Sequence, residues 1–267
     1  MEIFSPAPGY ELCIWCPEQP PPAGGFPVVL VLDAGLAFTC FVECVRGGAR
    51  RPQATGIDAA VVAGLRSVAP DKALRDARMR DYTAGSCADE ADGGAGGGAE
   101  AFLAFIEKQV LPAIEQRAPV DASRRTLFGH SLAGYFCLWA LARRPGLFDR
   151  HVAISPSVWW DPQALWAEPP VHTAVGDGTI EAGSSGLYVA VGEWEATAAP
   201  WQQAGGADPQ RDARRESRRM VEQARSTSAR FASRLPVGAV TFEVLPGEDH
   251  FSVVLPAVPR ALRFMRR

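Results

Sequence analysis

Apolar and polar positions along this chain repeat with two periods, and the switches between them predict the elements. FPVVLVLD at 26–33 is an unbroken apolar, β-branched run, the pattern of a strand covered on both faces in a parallel sheet flanked by helices. Residues 10–16 predict a short strand before it. The intervening PEQPPPAGG predicts a loop, because proline has no N–H to give to a ladder. IDAAVVAGL at 57–65 predicts a weaker strand. In EAFLAFIEKQVLPAIEQR, Phe102, Ile106, Val110 and Ile114 recur at helical spacing. RRTLFGHS follows as a strand, and LAGYFCLWALARRPGLF as a helix closed by Pro145 and Gly146. RHVAISPS and SGLYVAVGE read as strands. DPQRDARRESRRMVEQARSTSARFASRL reads as one long charged helix with Met220, Ala224, Phe231 and Leu235 on its buried side, and AVTFEVLPG as a last strand. This alternation predicts an α/β sandwich with a mostly parallel central sheet, one domain over 1–267. GSCADEADGGAGGG at 85–98 is too glycine-rich to pack a core and predicts a mobile loop.

Composition narrows the class without naming a chemistry. A hydrophobic share of 47% with 21% charged residues suits a globular core, and a net charge of -3 gives no reason to expect nucleic acid as a partner. The longest apolar run, FPVVLVLDAGLAF, is interrupted by Asp33 and Gly35, so no membrane insertion is expected. The first residues, MEIFSPAPGYELCIWCPEQ, hold neither a basic segment nor an apolar stretch of export-signal length, which predicts a cytoplasmic protein. Of six cysteines Cys13 and Cys16 form the closest pair in sequence. They sit three apart on a strand, where side chains point to opposite faces, so structural cysteines are expected rather than a metal site.

The candidate chemistry lies in FGHSLAGYF. Ser131 stands between Gly129 and Ala133, a G-x-S-x-A form of the turn that presents a nucleophilic serine between a strand and a helix. That turn needs small residues two before and two after the serine, and alanine meets the need. A serine hydroxyl requires a base, and the chain has four histidines. His130 would point away from its neighbour, His151 begins a strand, and His172 lies in a loop. His250, after the final strand in LPGEDHFSVV, belongs at the carboxyl edge where the serine opens. The acid that orients the imidazole should fall between them in sequence. Glu195 in VAVGEWEA is preferred over Glu193 and Asp161, Asp249 is too near the histidine, and a Ser-His dyad stays open. For the oxyanion, the N–H of Leu132 and one from LDAGLAF, Ala34 or Gly35, are the expected donors.

VLVLDAGLAF, RMRDYTAG, LFGHSLAGYFCLWAL, ISPSVWWD, VAVGEWE and LPGEDHFSVV, taken in order, resemble the esterase D-like branch of the α/β hydrolases, which includes the enterobactin and bacillibactin esterases. The resemblance runs from about residue 10 to the C-terminus. It implies an α/β-hydrolase three-layer sandwich, a metal- and cofactor-independent serine hydrolase with Ser131 as nucleophile and His250 as base, and an ester substrate such as a ferric siderophore. It also favours Glu195, three residues after Gly192. Two departures stand out: Ala34 where the family more often has glycine, and Ala133 in the elbow.

For a trianionic ferric catecholate, Arg78 and Arg80 would face the oxygens, and Trp159 and Trp160 the rings. Each also has a plainer role, the tryptophans as core and the arginines on a solvated turn. ARRESRR reads as a solvent-facing surface rather than a binding patch. A general acyl or feruloyl esterase, an acyltransferase, and an inactive hydrolase fold that only binds remain the alternatives.

Overall fold

The computed structural model describes residues 1–85, 96–167, 185–206 and 208–266. Most of the glycine-rich 85–98 stretch, and His172, lie outside the described residues.

Eight strands form one sheet in the order β1-β2-β4-β3-β5-β6-β7-β8. β1 (Glu2–Phe4) and β2 (Tyr10–Trp15) form an antiparallel edge, and β2 pairs antiparallel with β4 (Val61–Ser67). From there β3 (Phe26–Leu32), β5 (Val120–His130), β6 (Arg150–Ile154), β7 (Gly186–Gly192) and β8 (Val240–Leu245) run parallel. β3 and β7 are buried along their whole length, as expected for unbroken apolar runs in a sheet covered on both sides.

Helices cover the two faces. α1 (Leu36–Gly48) and α10 (Val254–Met265) pack on one with Val29, Val31 and Phe128. On the other lie α3 (Asp71–Tyr82), α4 (Ala99–Phe105), α5 (Leu111–Glu115) and α6 (Leu132–Arg143), with α9 (Met220–Ala232) beyond them. Short helices α2 (Pro52–Thr55) and α7 (Pro200–Ala204) fill connections, and α8 (Pro209–Arg218) precedes α9. The result is the three-layer α/β sandwich expected above. Cys13 packs into one layer and Cys16 against the other, as their spacing on β2 requires.

The differences from the sequence reading have local causes. The strand at 57–65 begins only at Val61, because α2 and its left-handed cap at Gly56 occupy the approach. The helix through Phe102, Ile106, Val110 and Ile114 does bury all four, yet widens to a π-turn at Ile106–Val110. Pro112 follows at the restart, with a ring that clashes with a regular preceding turn and no N–H to close it. The long charged helix is two. Arg219 adopts φ 42°, ψ 46°, left-handed, and separates α8, which has no buried residue, from α9, whose Met220, Ala224 and Phe231 are buried. Without an apolar stripe α8 has nothing to anchor it in line with α9. α1, α3 and α10 were not read from sequence. Pro256 and Pro259 mask α10, although Val254, Ala257, Val258, Ala261 and Leu262 keep helical spacing and are buried.

Sheet register fixes the working edge. His130 pairs with Ile154, and Gly192 with Leu245, so β5, β6, β7 and β8 end close together on the carboxyl side. Loops leaving those ends carry the residues of the next section.

Candidate active site

β5 ends at His130 and α6 begins at Leu132, leaving Ser131 alone in the turn at φ 61°, ψ -119°. Such a positive φ costs a non-glycine residue about 1–3 kcal/mol, so neighbours must enforce it. The Ser131 N–H donates to the Ile154 carbonyl at 2.9 Å, and the Ser131 carbonyl accepts from the Tyr135 and Ser157 N–H groups, each at 3.0 Å. A Cβ on Gly129 would lie 2.2 Å from the Ala133 carbonyl oxygen, and one on Gly134 2.9 Å from that of Ile154. The tight contacts therefore fall on Gly129 and Gly134, while the Ala133 methyl is accommodated in the core.

His250 reaches the turn from the loop after β8. Its Nε2 lies 3.0 Å from Ser131 Oγ and its Nδ1 2.7 Å from Glu195 Oε2. Glu195 is buried in the short helical turn that follows β7. Its other oxygen, Oε1, accepts from the Gly192 N–H at 2.7 Å and from the Ser155 hydroxyl. Burial alone would raise this carboxyl. The hydrogen bonds and charge of His250, with those from Ser155 and Gly192, outweigh it and hold the group below its ordinary value of 4.5.

Of the other acid candidates, Glu193 accepts from the Gly247 N–H at 2.7 Å and so fastens the base loop. Asp161 caps Ala164, and Asp249 accepts from the Phe251 and Ser252 N–H groups. The structure thus brings Ser131, His250 and Glu195 into one relay and leaves these three acids in turns. A residue the sequence reading missed, Ser157, is buried with its Oγ 3.3 Å from Ser131 Oγ.

The expected oxyanion donors divide. Leu132 opens α6, where a first-turn N–H has no partner within the helix. Ala34 has to be set aside: its N–H donates to the Leu65 carbonyl at 3.1 Å, prolonging the β3–β4 ladder by one step. Gly35 is the next residue, and its N–H has no hydrogen-bond partner among the described residues. The Ala34 methyl is tolerated because Gly64 stands opposite; a Cβ there would lie 2.6 Å from it.

Neither Arg78 nor Arg80 is among the side chains that line the cleft. Arg78 Nε and a terminal nitrogen donate to Asp33 Oδ2 at 2.9 and 2.8 Å, and Tyr82 donates to Oδ1 at 2.9 Å, so the pair braces the turn that carries Gly35. Arg80 donates to Asp81 at 2.8 Å and to the Tyr10 hydroxyl at 3.2 Å. These partners lie dozens of positions away or on the same helix, and periodicity carries no trace of such pairings. The tryptophans also separate. Trp160 is core at 3% exposure, whereas Trp159 lines the cleft.

That cleft has a volume of about 340 Å³ and opens over Ser131 and His250. Its walls include Trp159 and Trp194 and, from α8, Arg211, Arg214, Arg215 and Arg218. The ARRESRR segment expected to face only solvent therefore turns Arg214, Arg215 and Arg218 to the cleft, brought there by the break at Arg219. The Arg218 guanidinium lies 4.2 Å from the centre of the Trp159 ring, and Arg215 is held by Asp212 at 2.7 Å and Gln202 at 2.9 Å.

A family model described as "Putative esterase" matches residues 9–232. Among curated relatives, the ferri-bacillibactin esterase BesA of Bacillus subtilis is 33% identical over 263 residues, covering 96% of this chain and 84% of the relative. The siderophore triacetylfusarinine C esterase of Aspergillus fumigatus is 31% identical, covering 90% and 81%. Among solved structures, the BES protein from Bacillus cereus superposes with a TM-score of 0.74 at 27% identity over 96% of this chain and 88% of that one.

The depressed Glu195 carboxyl sets a pH signature. Its ionised form is favoured by folding, so the stabilisation is full above pH 4.5 and is lost as pH falls through the lower folded value. Glu195→Gln puts an NH2 donor against groups that donate to the carboxylate, but it resembles the protonated acid. Thermal melts should show the variant a few degrees less stable at about pH 7, with the gap narrowing progressively as pH falls below 4.5; an unchanged gap would contradict the assigned hydrogen bonds.

Proposed function

The chain belongs to the esterase family, and from that premise we propose that it hydrolyses carboxylic ester bonds of siderophores through an acyl-enzyme on Ser131. The observation that carries the reading is the relay from Glu195 through His250 to Ser131, at 2.7 and 3.0 Å, on the floor of an open cleft. His250 Nε2 takes the Ser131 proton as Oγ attacks the ester carbonyl. Glu195 keeps the other ring nitrogen protonated and balances the imidazolium. The Leu132 and Gly35 N–H groups receive the oxyanion, each such donor being worth roughly 100- to 1000-fold in rate. Collapse expels the alcohol, which takes its proton from His250, and water activated by the same base releases the acid.

The relatives named above act on siderophore esters of two kinds by their names, bacillibactin and triacetylfusarinine C. Four arginines from α8 beside Trp159 and Trp194 favour the multiply anionic, aromatic kind, a ferric tris-catecholate: guanidinium groups meet catecholate oxygens and indoles meet the rings. This assigns to α8 the role that sequence had suggested for Arg78 and Arg80. The eight-stranded sheet supports reading the chain as one hydrolase domain, and the five free cysteines among the described residues suit a reduced, cytoplasmic setting.

A fluorophosphonate probe should label Ser131, and Ser131→Ala should abolish both labelling and hydrolysis of ferric enterobactin. Labelling that survives in that variant would place the nucleophile elsewhere, and turnover of p-nitrophenyl acetate alone would remove the siderophore.

The charge of the cleft gives a separate expectation. Two solvent-facing charge contacts of about 0.7 kcal/mol each amount to roughly tenfold. Arg214→Ala with Arg218→Ala should lower the selectivity, in kcat/KM, for the ferric tris-catecholate over a neutral ferric tris-hydroxamate ester by about that factor. Added salt should narrow the wild-type selectivity. Selectivity unchanged by both would show that α8 does not read substrate charge.

A further inference from the structure

His130 lies next to the nucleophile, yet its side chain turns from Ser131 to the base loop. Its Nε2 is 2.7 Å from the backbone carbonyl oxygen of His250, and the two rings are 4.8 Å apart between centres, inclined by 43°. A carbonyl can only accept, so Nε2 carries the proton. No other hydrogen bond to that carbonyl is formed among the described residues.

The geometry points to His130 as a positioning residue, a neutral imidazole strap that ties the loop carrying His250 to the elbow carrying Ser131. This rests on the hydrolytic relay proposed above. The loop is already fastened to the end of β7 on its far side, through the Trp194 N–H to the Glu248 carbonyl at 2.9 Å and the Gly247 N–H to Glu193 at 2.7 Å. Those contacts hold the residues before His250. His130 holds His250 itself, and it does so from the residue adjoining the nucleophile, so the distance from base to serine is set within one short closed path.

The strap must be uncharged to serve. During acyl transfer His250 becomes an imidazolium, and a second cation at ring-contact distance would oppose it. Burial foremost, then the His250 charge, push the His130 pKa down to about 4; Arg78 acts in the same direction, while the bond to the His250 carbonyl and the Glu195 charge oppose it. His130 therefore stays a neutral donor through the range in which the relay works.

The test compares three replacements. His130→Ala should lower kcat and the rate of fluorophosphonate labelling about 10- to 100-fold, with KM for p-nitrophenyl acetate within about twofold of wild type, because a misplaced base slows chemistry more than binding. His130→Gln, whose amide nitrogen can stand where Nε2 stood, should recover to within about threefold. His130→Asn, whose shorter amide overlays Nδ1, should not. Ring 15N NMR of the unmodified protein should find Nε2 protonated and Nδ1 bare at about pH 6. A folded His130→Ala that labels at the wild-type rate, an Asn variant that recovers as well as Gln, or an Nδ1-protonated ring would overturn the strap. If His130→Ala does not fold, the Gln and Asn pair decides. Wild-type protein that never labels would instead remove the relay on which the strap rests.

Discussion

Everything at the working edge depends on one constrained residue. Ser131 is held at φ 61° between a strand and a helix that approach so closely that neither Gly129 nor Gly134 has room for a side chain without displacing backbone. The strain persists because α6 has almost nothing but buried residues and cannot move away, and because three backbone hydrogen bonds lock the turn to β6, to α6 and to Ser157. The same turn exposes the hydroxyl, frees the Leu132 N–H at the helix start and aims His130 at the base loop. Relaxing it would alter nucleophile, oxyanion donor and strap together.

Chemistry and recognition are built on different kinds of element. The relay stands on ends of buried parallel strands, and its acid is fixed by hydrogen bonds strong enough to overcome burial. The outer wall of the cleft is α8, a helix with no buried residue, held by a side-chain cap at Asp208 and by pairs such as Arg215 with Asp212. Such an element can exchange residues with little effect on the core, which fits a fold whose relatives are named for chemically different siderophores.

Much of this was legible in the chain because the relevant signals are local. The β-branched runs of β3 and β7, the small residues around Ser131, and the order serine, acid, histidine all survive in one dimension. Placing Glu195 on the relay required the register of β7 and β8; Glu193, two residues earlier, carries the same charge in the same short stretch and instead holds Gly247. The surroundings of the arginines are hidden from the sequence for a related reason. Arg78 looks available until Asp33, 45 positions away, is folded against it, and α8 looks solvated until the left-handed Arg219 turns it over the cleft. Ala34 and Gly35 are equal candidates in the sequence, because the ladder bond from Ala34 to Leu65 is invisible without β4 in place.

The central claim is that this elbow presents Ser131 to an ester whose oxyanion lies between two backbone donors. A crystal structure of the fluorophosphonate adduct tests it most directly. Phosphorus should be bonded to Ser131 Oγ, with the phosphonyl oxygen at about 2.7–3.1 Å from both the Gly35 and Leu132 nitrogens. An adduct on Ser131 whose phosphonyl oxygen turns away from both nitrogens, or phosphorus bonded to another residue, would contradict it.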